Sequence, residues 1–144
     1  MKTSNYIKLE FPSKSANEAF ARTAAAIFAS QLDPTLDEIS DIKTAVSEAV
    51  TNCIVHAYPN EMGIIKLKAC IRGDMIEIAI SDKGAGIPDV QKAVQPLFTT
   101  GGSERSGMGF TIMDSFMDKM KVRSKEGKGT TVTLCKRIRT RTYE

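Results

Sequence analysis

The stretch SEAVTNCIVHAY, residues 47–58, decides how this chain folds. It belongs to a long helix that the sequence predicts to begin after Pro34, and Glu48, Asn52 and His56 follow one another at intervals of four residues. A helix with about 3.6 residues per turn stacks these positions in one polar stripe. We expect the opposite face to pack on a sheet, because it is broad and apolar. Its members are Ile39, Ile42, Val46, Ala49, Val50, Cys53 and Ile54.

Glu48 and Asn52 have the chemistry of a magnesium-nucleotide site. An amide oxygen is a hard ligand for Mg²⁺, and a carboxylate can accept a proton or orient a nucleophile. Glutamate and asparagine on a helix are more often solvated surface residues than functional ones. This pair therefore gains its meaning from the motifs that follow it along the chain.

Length and composition indicate an ordinary globular protein. A chain of 144 residues is most simply one domain, spanning residues 1–144. It has no run of 18 apolar residues and no apolar segment near its N-terminus, so we expect a cytoplasmic protein with no membrane association. The net charge of +3 is too small to indicate direct binding to nucleic acid. The three cysteines have neither disulfide nor metal spacing and are interpreted as core residues; they are Cys53, Cys70 and Cys135.

Two capping boxes predict where the first helices begin. Ser15 with Glu18 indicates a helix that reaches Gln31, and Thr35 with Glu38 indicates the start of the long helix that ends near residue 58. The first helix is expected to turn one apolar face to the core, made of Phe20, Ala24, Ile27 and Phe28.

Alternating apolar residues predict the strands. One strand spans residues 7–11, one hairpin joins residues 65–71 to 76–82, and a second hairpin joins residues 119–124 to 130–137. Asp82 continues the apolar face of its strand, so its carboxylate should be partly buried and should need hydrogen-bond donors. The element order predicts an α/β fold: a two-layer sandwich with a mixed, mostly antiparallel sheet and helices on one face.

Two glycine motifs complete the pattern. Asp82-x-Gly84-x-Gly86 lies at a strand end, where glycines let the backbone turn tightly beside a flat ligand. Gly107-Met108-Gly109 lies at a helix start, where free N–H groups favour phosphate, and it closes a glycine- and serine-rich stretch, residues 96–110, that we interpret as a lid. Each motif is weak alone, but their order and their spacing from Asn52 are specific together.

Taken together, these motifs resemble the Bergerat fold, the ATP-binding domain shared by DNA gyrase, Hsp90, histidine kinases and MutL. Residues 48–58 resemble its N box, residues 82–86 and 107–109 its two glycine boxes, and Gly129-Thr130 its late G-T step. The resemblance covers nearly the whole chain. A sensor histidine kinase would need a phosphoacceptor helix bearing a histidine, whereas the single histidine here lies inside the N box.

The resemblance implies binding of ATP with Mg²⁺. It implies that Asn52 coordinates the metal, that Asp82 receives the adenine amino group, that Thr130 assists there through its hydroxyl, and that the lid closes over the triphosphate. Arg105 could neutralise charge on the γ-phosphate or could be a surface cation. The full set of expected nucleotide contacts is Asn52, Asp82, Gly84, Gly86, Thr99, Thr100, Arg105, Ser106, Gly107, Met108, Gly109 and Thr130.

The strings SEAVTN, QPLFTT and ERSGMGFTIM are similar to those of the bacterial anti-sigma factor serine kinases, especially the sporulation type that acts on sigma factor F. That similarity implies a homodimer that sequesters sigma factor F and phosphorylates a serine of an anti-anti-sigma factor. Glu48 would be the catalytic residue, and Arg22 on the first helix is a candidate partner contact. Two alternatives remain: a general-stress switch kinase with another sigma partner, and an ATP-gated binding module without turnover, against which the presence of Glu48 argues.

Overall fold

The structure, a computed structural model, describes residues 2–94 and 109–138. A 3₁₀ turn (Ser30–Leu32) follows the first helix, and a π-helical segment (Cys53–Ala57) continues the second. The strands and α-helices in chain order are β1 (Thr3–Pro12), α1 (Ala16–Ala29), α2 (Leu36–Asn52), β2 (Ile64–Arg72), β3 (Met75–Asp82), α3 (Val90–Ala93), α4 (Gly109–Phe116), β4 (Lys119–Lys125) and β5 (Gly129–Arg137).

The five strands form one sheet in the order β1-β2-β3-β5-β4. Every neighbouring pair among the described strands is antiparallel, so the sheet is not mixed as the sequence suggested. Helices cover one face of the sheet, which confirms the predicted two-layer α/β sandwich. The other face carries no helix in the described part of the chain.

The core lies between the sheet and α2. Alternate residues of β2 and β3 are buried as predicted, among them Ile65, Leu67, Ile76 and Ile78, all at most 1% exposed. They meet the apolar face of α2. Full burial of one such side chain stabilises the fold by about 1.5–3 kcal/mol. This packing fixes how α2 lies on the sheet, and with it the position of the polar stripe on α2.

The two predicted capping boxes have different outcomes. At α2 the box is present: the Glu38 amide donates to the Thr35 hydroxyl (3.0 Å), and the Thr35 amide donates to the Glu38 carboxylate (2.8 Å). At α1 it is absent, because Ser15 already has helical backbone angles and its side chain caps nothing. Glu18 instead accepts a hydrogen bond from the Ser47 hydroxyl of α2, so tertiary contact replaces the local cap.

The predicted core face of α1 is wrong in part. Phe28 is buried, but Phe20 and Ile27 are 57% and 66% exposed. The helix packs on α2 through fully buried Ala21 and Ala25, whose small side chains leave the larger apolar residues on the outer side. The α-helix ends at Ala29, and only the 3₁₀ turn continues to the region where the sequence placed its end.

The cysteines are all free, and only one lies in the core cluster. Cys53 packs between the layers, as expected. Cys70 and Cys135 lie on the outer face of the sheet, where their thiols donate to the Glu77 carboxylate at 3.6 and 3.7 Å. Residues 2–94 and 109–138 contain no cluster of side chains suited to hold a metal ion and no helix long and apolar enough to cross a membrane.

Candidate nucleotide site

Glu48 and Asn52 stand one turn apart on α2 and are half-buried. The first residue of α4, Gly109, lies directly against both. A Cβ atom at Gly109 would lie 3.2 Å from the Glu48 carboxylate and 3.5 Å from the Asn52 amide. A methyl group there would be tight against Glu48 and in ordinary contact with Asn52, so the structure brings the N box and the end of the second glycine box together.

Asp82 ends β3 and is 8% exposed. One carboxylate oxygen accepts hydrogen bonds from the amides of Gly84 (2.9 Å) and Thr130 (3.2 Å), and the other accepts from the Cys53 thiol (3.3 Å). These donors offset the cost of burying a carboxylate, which amounts to several kcal/mol for an uncompensated ion. The burial that strand parity predicted is confirmed, and the second oxygen has a lone pair left for a ligand N–H group.

Cys53 connects the helix to the strand end. Burial, followed by the neighbouring Asp82 charge, raises the pKa of the Cys53 thiol far above its ordinary value. The thiol therefore stays protonated and acts as a donor. Since Cys53 follows Asn52 directly, its bond to Asp82 holds the amide and the carboxylate beside one cleft. No pattern in the sequence indicates this contact, because a cysteine in an apolar run is indistinguishable from a core residue.

The π-helical segment Cys53–Ala57 positions Tyr58 between the end of the helix and the loop after β3. The Tyr58 amide donates to the Cys53 carbonyl five residues earlier, at 3.2 Å. The Tyr58 hydroxyl donates to the Ile64 carbonyl (3.0 Å) and accepts from the Lys83 amide (2.7 Å). Tyr58 thus ties the helix end to the loop after β3, a role that no local motif in the sequence indicates.

The glycines of the first glycine box permit close backbone contacts. A Cβ at Gly84 would lie 2.6 Å from the Ala57 carbonyl carbon, and the Ala85 amide donates to that carbonyl at 3.0 Å. Gly86 has φ +75°, and a Cβ there would lie 2.8 Å from the Lys125 carbonyl carbon and nearer still to its oxygen. Both glycines are therefore required by packing as well as by turn geometry.

Ser124 links the late G-T step to the first glycine box. Its hydroxyl donates to the Gly129 carbonyl (3.0 Å), accepts from the Ile87 amide (2.7 Å) and lies 2.7 Å from the Thr130 hydroxyl. Thr130 is on the core side of β5, as predicted from strand parity, and its hydroxyl belongs to this network. Sequence reasoning missed Ser124: strand parity puts it on the core side with Met120 and Val122, but no motif marks it as a site residue.

The structure gathers most of the predicted site residues that it describes. One neighbourhood contains Glu48, Asn52, Asp82, Gly84, Gly109 and Thr130. Gly86 supports it from behind, against the β4–β5 turn. The predicted lid contacts lie outside the described residues; they are Thr99, Thr100, Arg105, Ser106, Gly107 and Met108.

Arg22 stands apart from this neighbourhood, across a cavity of about 380 Å³ between α1 and α2. The cavity is lined by Arg22 and by residues of α2 from Leu36 to Glu48, including Lys43 and Thr44. Glu48 therefore both contacts Gly109 and lines this cavity. The Arg22 guanidinium lies 3.9 Å from Glu18, and its Nε atom has no hydrogen-bond partner in the described part of the chain.

Comparison with known proteins agrees with this geometry. The sequence profile of the histidine kinase-like ATPase domain matches residues 11–136. In fold, the chain is similar to the RsbU and RsbW domains of a Mycobacterium tuberculosis protein, with a TM-score of 0.66, 18% identity and coverage of 94% of this chain and 32% of that one. It is also similar to the catalytic domain of the histidine kinase ThkA, with a TM-score of 0.55, 16% identity and coverage of 96% and 98%. The chain therefore belongs to the histidine kinase-like ATPase domain family.

Sequence relatives identify a narrower group within this family. An anti-sigma F factor of Thermoanaerobacter pseudethanolicus is 59% identical over 139 residues, which cover 96% of this chain and 97% of the relative. Those of Clostridium botulinum and Clostridium beijerinckii are 56% and 54% identical over 136 residues, with coverage of 93% and 95% in each case. Within the ATPase domain family, this chain belongs with the anti-sigma F factors.

Proposed function

We propose that this chain is a single-domain, cytoplasmic serine kinase that, with bound ATP and Mg²⁺, binds and inhibits sigma factor F and phosphorylates a serine of the anti-anti-sigma factor. The observation that carries the proposal is the approach of Gly109 to Glu48 and Asn52, close to the buried Asp82. The name shared by relatives 54–59% identical to this chain supports the choice of sigma factor.

The nucleotide side of the cleft fits ATP. Asp82 is buried and ionisable, and one of its oxygens can still accept the amino group of adenine. Asn52 offers an amide oxygen, a ligand type that Mg²⁺ prefers, and Gly109 leaves room beside it. Bound Mg²⁺ would supply charge neutralisation at the phosphates. The lid contacts at residues 99–108 stay predictions from the sequence.

Glu48 is the residue that we assign to the substrate hydroxyl. Its carboxylate would accept or orient the serine proton while Asn52 holds the metal. A carboxylate is a weak base at neutral pH, but the transition state of phosphoryl transfer is loose and demands little proton removal until late. The geometry supports this role, because α2 holds Glu48 one turn from Asn52 and Gly109 lies against both without a side chain.

The cavity between α1 and α2 offers a route for the substrate serine. Glu48 and Arg22 both line it. Arg22 has an unused Nε donor in the described structure, which supports its assignment as a partner contact. Exposed Phe20 and Ile27 lie within two turns of it on the same helix, and we assign them to a homodimer or partner interface.

Phosphate transfer to a serine of the anti-anti-sigma factor tests the proposal directly. With Mg²⁺ and ATP, mass spectrometry should detect one added phosphate on that protein. Glu48→Gln should reduce the transfer rate about 10²- to 10⁴-fold, the usual contribution of a positioned base, and should leave ATP affinity nearly unchanged. The control Glu61→Gln removes an exposed carboxylate in a loop and should change neither.

Undiminished transfer by Glu48→Gln would remove Glu48 from the mechanism. Absence of transfer by the unaltered chain, with ATP-dependent binding of sigma factor F retained, would instead indicate the ATP-gated binding module. Binding of a different sigma factor in place of sigma factor F would indicate the general-stress type of kinase.

A further inference from the structure

The outer face of the sheet, which no described helix covers, has two rows of cations along its sides. Both rows are exposed, and the strand register places them on the same face. We call them the two rims: Lys8, Lys66 and Lys68 on β1 and β2, and Lys119, Lys121 and Arg123 on β4.

Charge on this face is segregated from the rest of the chain. The strands place nine cations on this face, the six rim residues together with Arg72, Lys125 and Arg137, and two carboxylates, Glu10 and Glu77, which leaves +7. That exceeds the +3 of the whole sequence, which means that the remainder of the protein is net acidic. Such a one-sided field attracts anionic partners to one face.

The rims are not arranged for stability. Lys8 and Lys68 face each other directly across β1 and β2, and like charges at opposed positions destabilise a sheet. Among the described residues, no carboxylate lies within ion-pair distance of Lys8, Lys68, Lys121 or Arg123. An external anion is the group that would relieve this repulsion.

Between the rims runs a shallow trough. Its floor consists of small side chains of β3 and β5, namely Ala79, Ser81, Thr131 and Thr133. The rims on β2 and β4 are three strand spacings apart, or roughly 14 Å. An α-helix with its side chains is about 10–12 Å across, so it fits between them. Alternate rim residues are about 7 Å apart along a strand, and helical side chains one turn apart are separated by about 5.4 Å, so long lysine and arginine side chains must span the difference of about 1.5 Å.

The chemistry of the face favours a protein over nucleic acid. Proteins that bind single-stranded nucleic acid combine cations with aromatic rings on which bases stack. The described strands present one ring on this face, Tyr6, which lies at the edge of β1 with the Lys8 ammonium 5.9 Å from its centroid. The floor of the trough has methyl and hydroxyl groups only, which suit the backbone side of a helix.

We propose that the outer sheet face is a docking surface for an acidic α-helix of a protein partner, which lies along β3 and β5 with carboxylates directed at both rims. This surface is on the side of the sheet away from the nucleotide site, and it does not depend on the proposed kinase function. Beyond the small side chains of the floor, the same face continues with the row of Tyr6, Cys70 and Glu77.

A synthetic helical peptide with glutamates along both flanks and alanines between them is the probe. Fluorescence anisotropy with the full chain should show saturable binding that weakens as salt is raised. The double variant Lys68→Glu, Lys121→Glu, with one change in each rim, should weaken binding at least tenfold. The control Lys14→Glu, Lys128→Glu has the same total charge change at exposed positions outside both rims and should weaken it less than threefold.

When the peptide is titrated into the protein, NMR should show chemical-shift changes at the backbone amides of β3 and β5. Both variants should bind ATP as the unaltered chain does, which separates this test from the kinase proposal and verifies folding. Lys68→Glu should also raise the urea midpoint, because it removes the repulsion with Lys8. If the double variant does not fold, the neutral pair Lys68→Gln, Lys121→Gln should weaken binding in the same direction.

Three outcomes would overturn the proposal. Equal losses in the rim variant and the control would mean that total charge alone attracts the peptide. Equal affinity for a proline-containing peptide of the same composition that cannot form a helix would exclude the helical occupant. Tighter binding of a single-stranded oligonucleotide of matched charge, with shifts along the same strands, would assign the face to nucleic acid.

Discussion

Gly86 and Gly127 have similar backbone angles but different surroundings. Alanine substitutions at the two positions would therefore measure one packing contact, that of Gly86 with the β4–β5 turn. Both have left-handed backbone angles, φ +75° and +79°. A Cβ at Gly127 would meet nothing within 4 Å, whereas one at Gly86 would overlap the Lys125 carbonyl. Alanine in this conformation costs about 1–2 kcal/mol at either position.

Only Gly86→Ala carries an additional cost. The β4–β5 turn must retreat by roughly 1 Å to restore ordinary contact with the new methyl group, and overpacking of this kind costs about 1–3 kcal/mol. The displacement also strains the hydrogen bond from the Gly127 amide to the Ala85 carbonyl, which is 2.6 Å long. We therefore expect Gly86→Ala to lose about 2–5 kcal/mol of unfolding free energy, and Gly127→Ala about 1–2.

Urea unfolding followed by circular dichroism measures both losses. The same displacement moves the loop that follows Asp82, so Gly86→Ala should also weaken ATP binding severalfold, while Gly127→Ala should not. Equal free-energy losses in the two variants, within about 0.5 kcal/mol, would refute the close contact between the first glycine box and the β4–β5 turn.

Three further outcomes are expected. Asp82→Asn removes the charge from the adenine acceptor, and because hydrogen bonds to charged groups contribute about 1.5–3 kcal/mol, calorimetry should show ATP binding weakened roughly 10- to 150-fold; an unchanged preference for ATP over GTP would contradict the role. Asn52→Ala should make nucleotide affinity the same with Mg²⁺ as with EDTA, and a persisting Mg²⁺ effect would exclude Asn52 as the ligand. The raised pKa of Cys53 means that the unfolded thiol loses its proton first, so the free energy of unfolding should fall above about pH 8.5, by up to about 1.4 kcal/mol per pH unit. Urea titrations across that range should show a shallower fall in Cys53→Ala, and an identical fall would count against the buried thiol.

The sequence predicted those features that depend on local periodicity. Strand parity placed Asp82 on the buried face, and the capping box at Thr35 located the start of α2. Helical spacing put Glu48 and Asn52 on one stripe. Each of these follows from residues within a turn or two of one another, where backbone geometry leaves few alternatives.

Features set by contacts between distant segments could not be predicted. Glu18 has the spacing of a capping residue, yet it bonds to Ser47, which lies 29 residues away. Phe20 and Ile27 were predicted in the core because they share an apolar helical face with Phe28, whereas the residues of α1 that are buried are chiefly alanines. The bond between Cys53 and Asp82 likewise becomes visible only when the helix is placed on the sheet.

The π-helical segment Cys53–Ala57 takes up one residue more than an ordinary helical turn, because the bond from the Tyr58 amide to the Cys53 carbonyl spans five residues where an α-helix spans four. Deleting one of its five residues would let this turn wind as an ordinary α-helix, and the chain that follows would keep nearly the same direction. The Tyr58 hydroxyl should then still accept the bond from the Lys83 amide. Relatives of this protein can therefore differ by one residue in this segment and keep the contact between the helix end and the loop after β3.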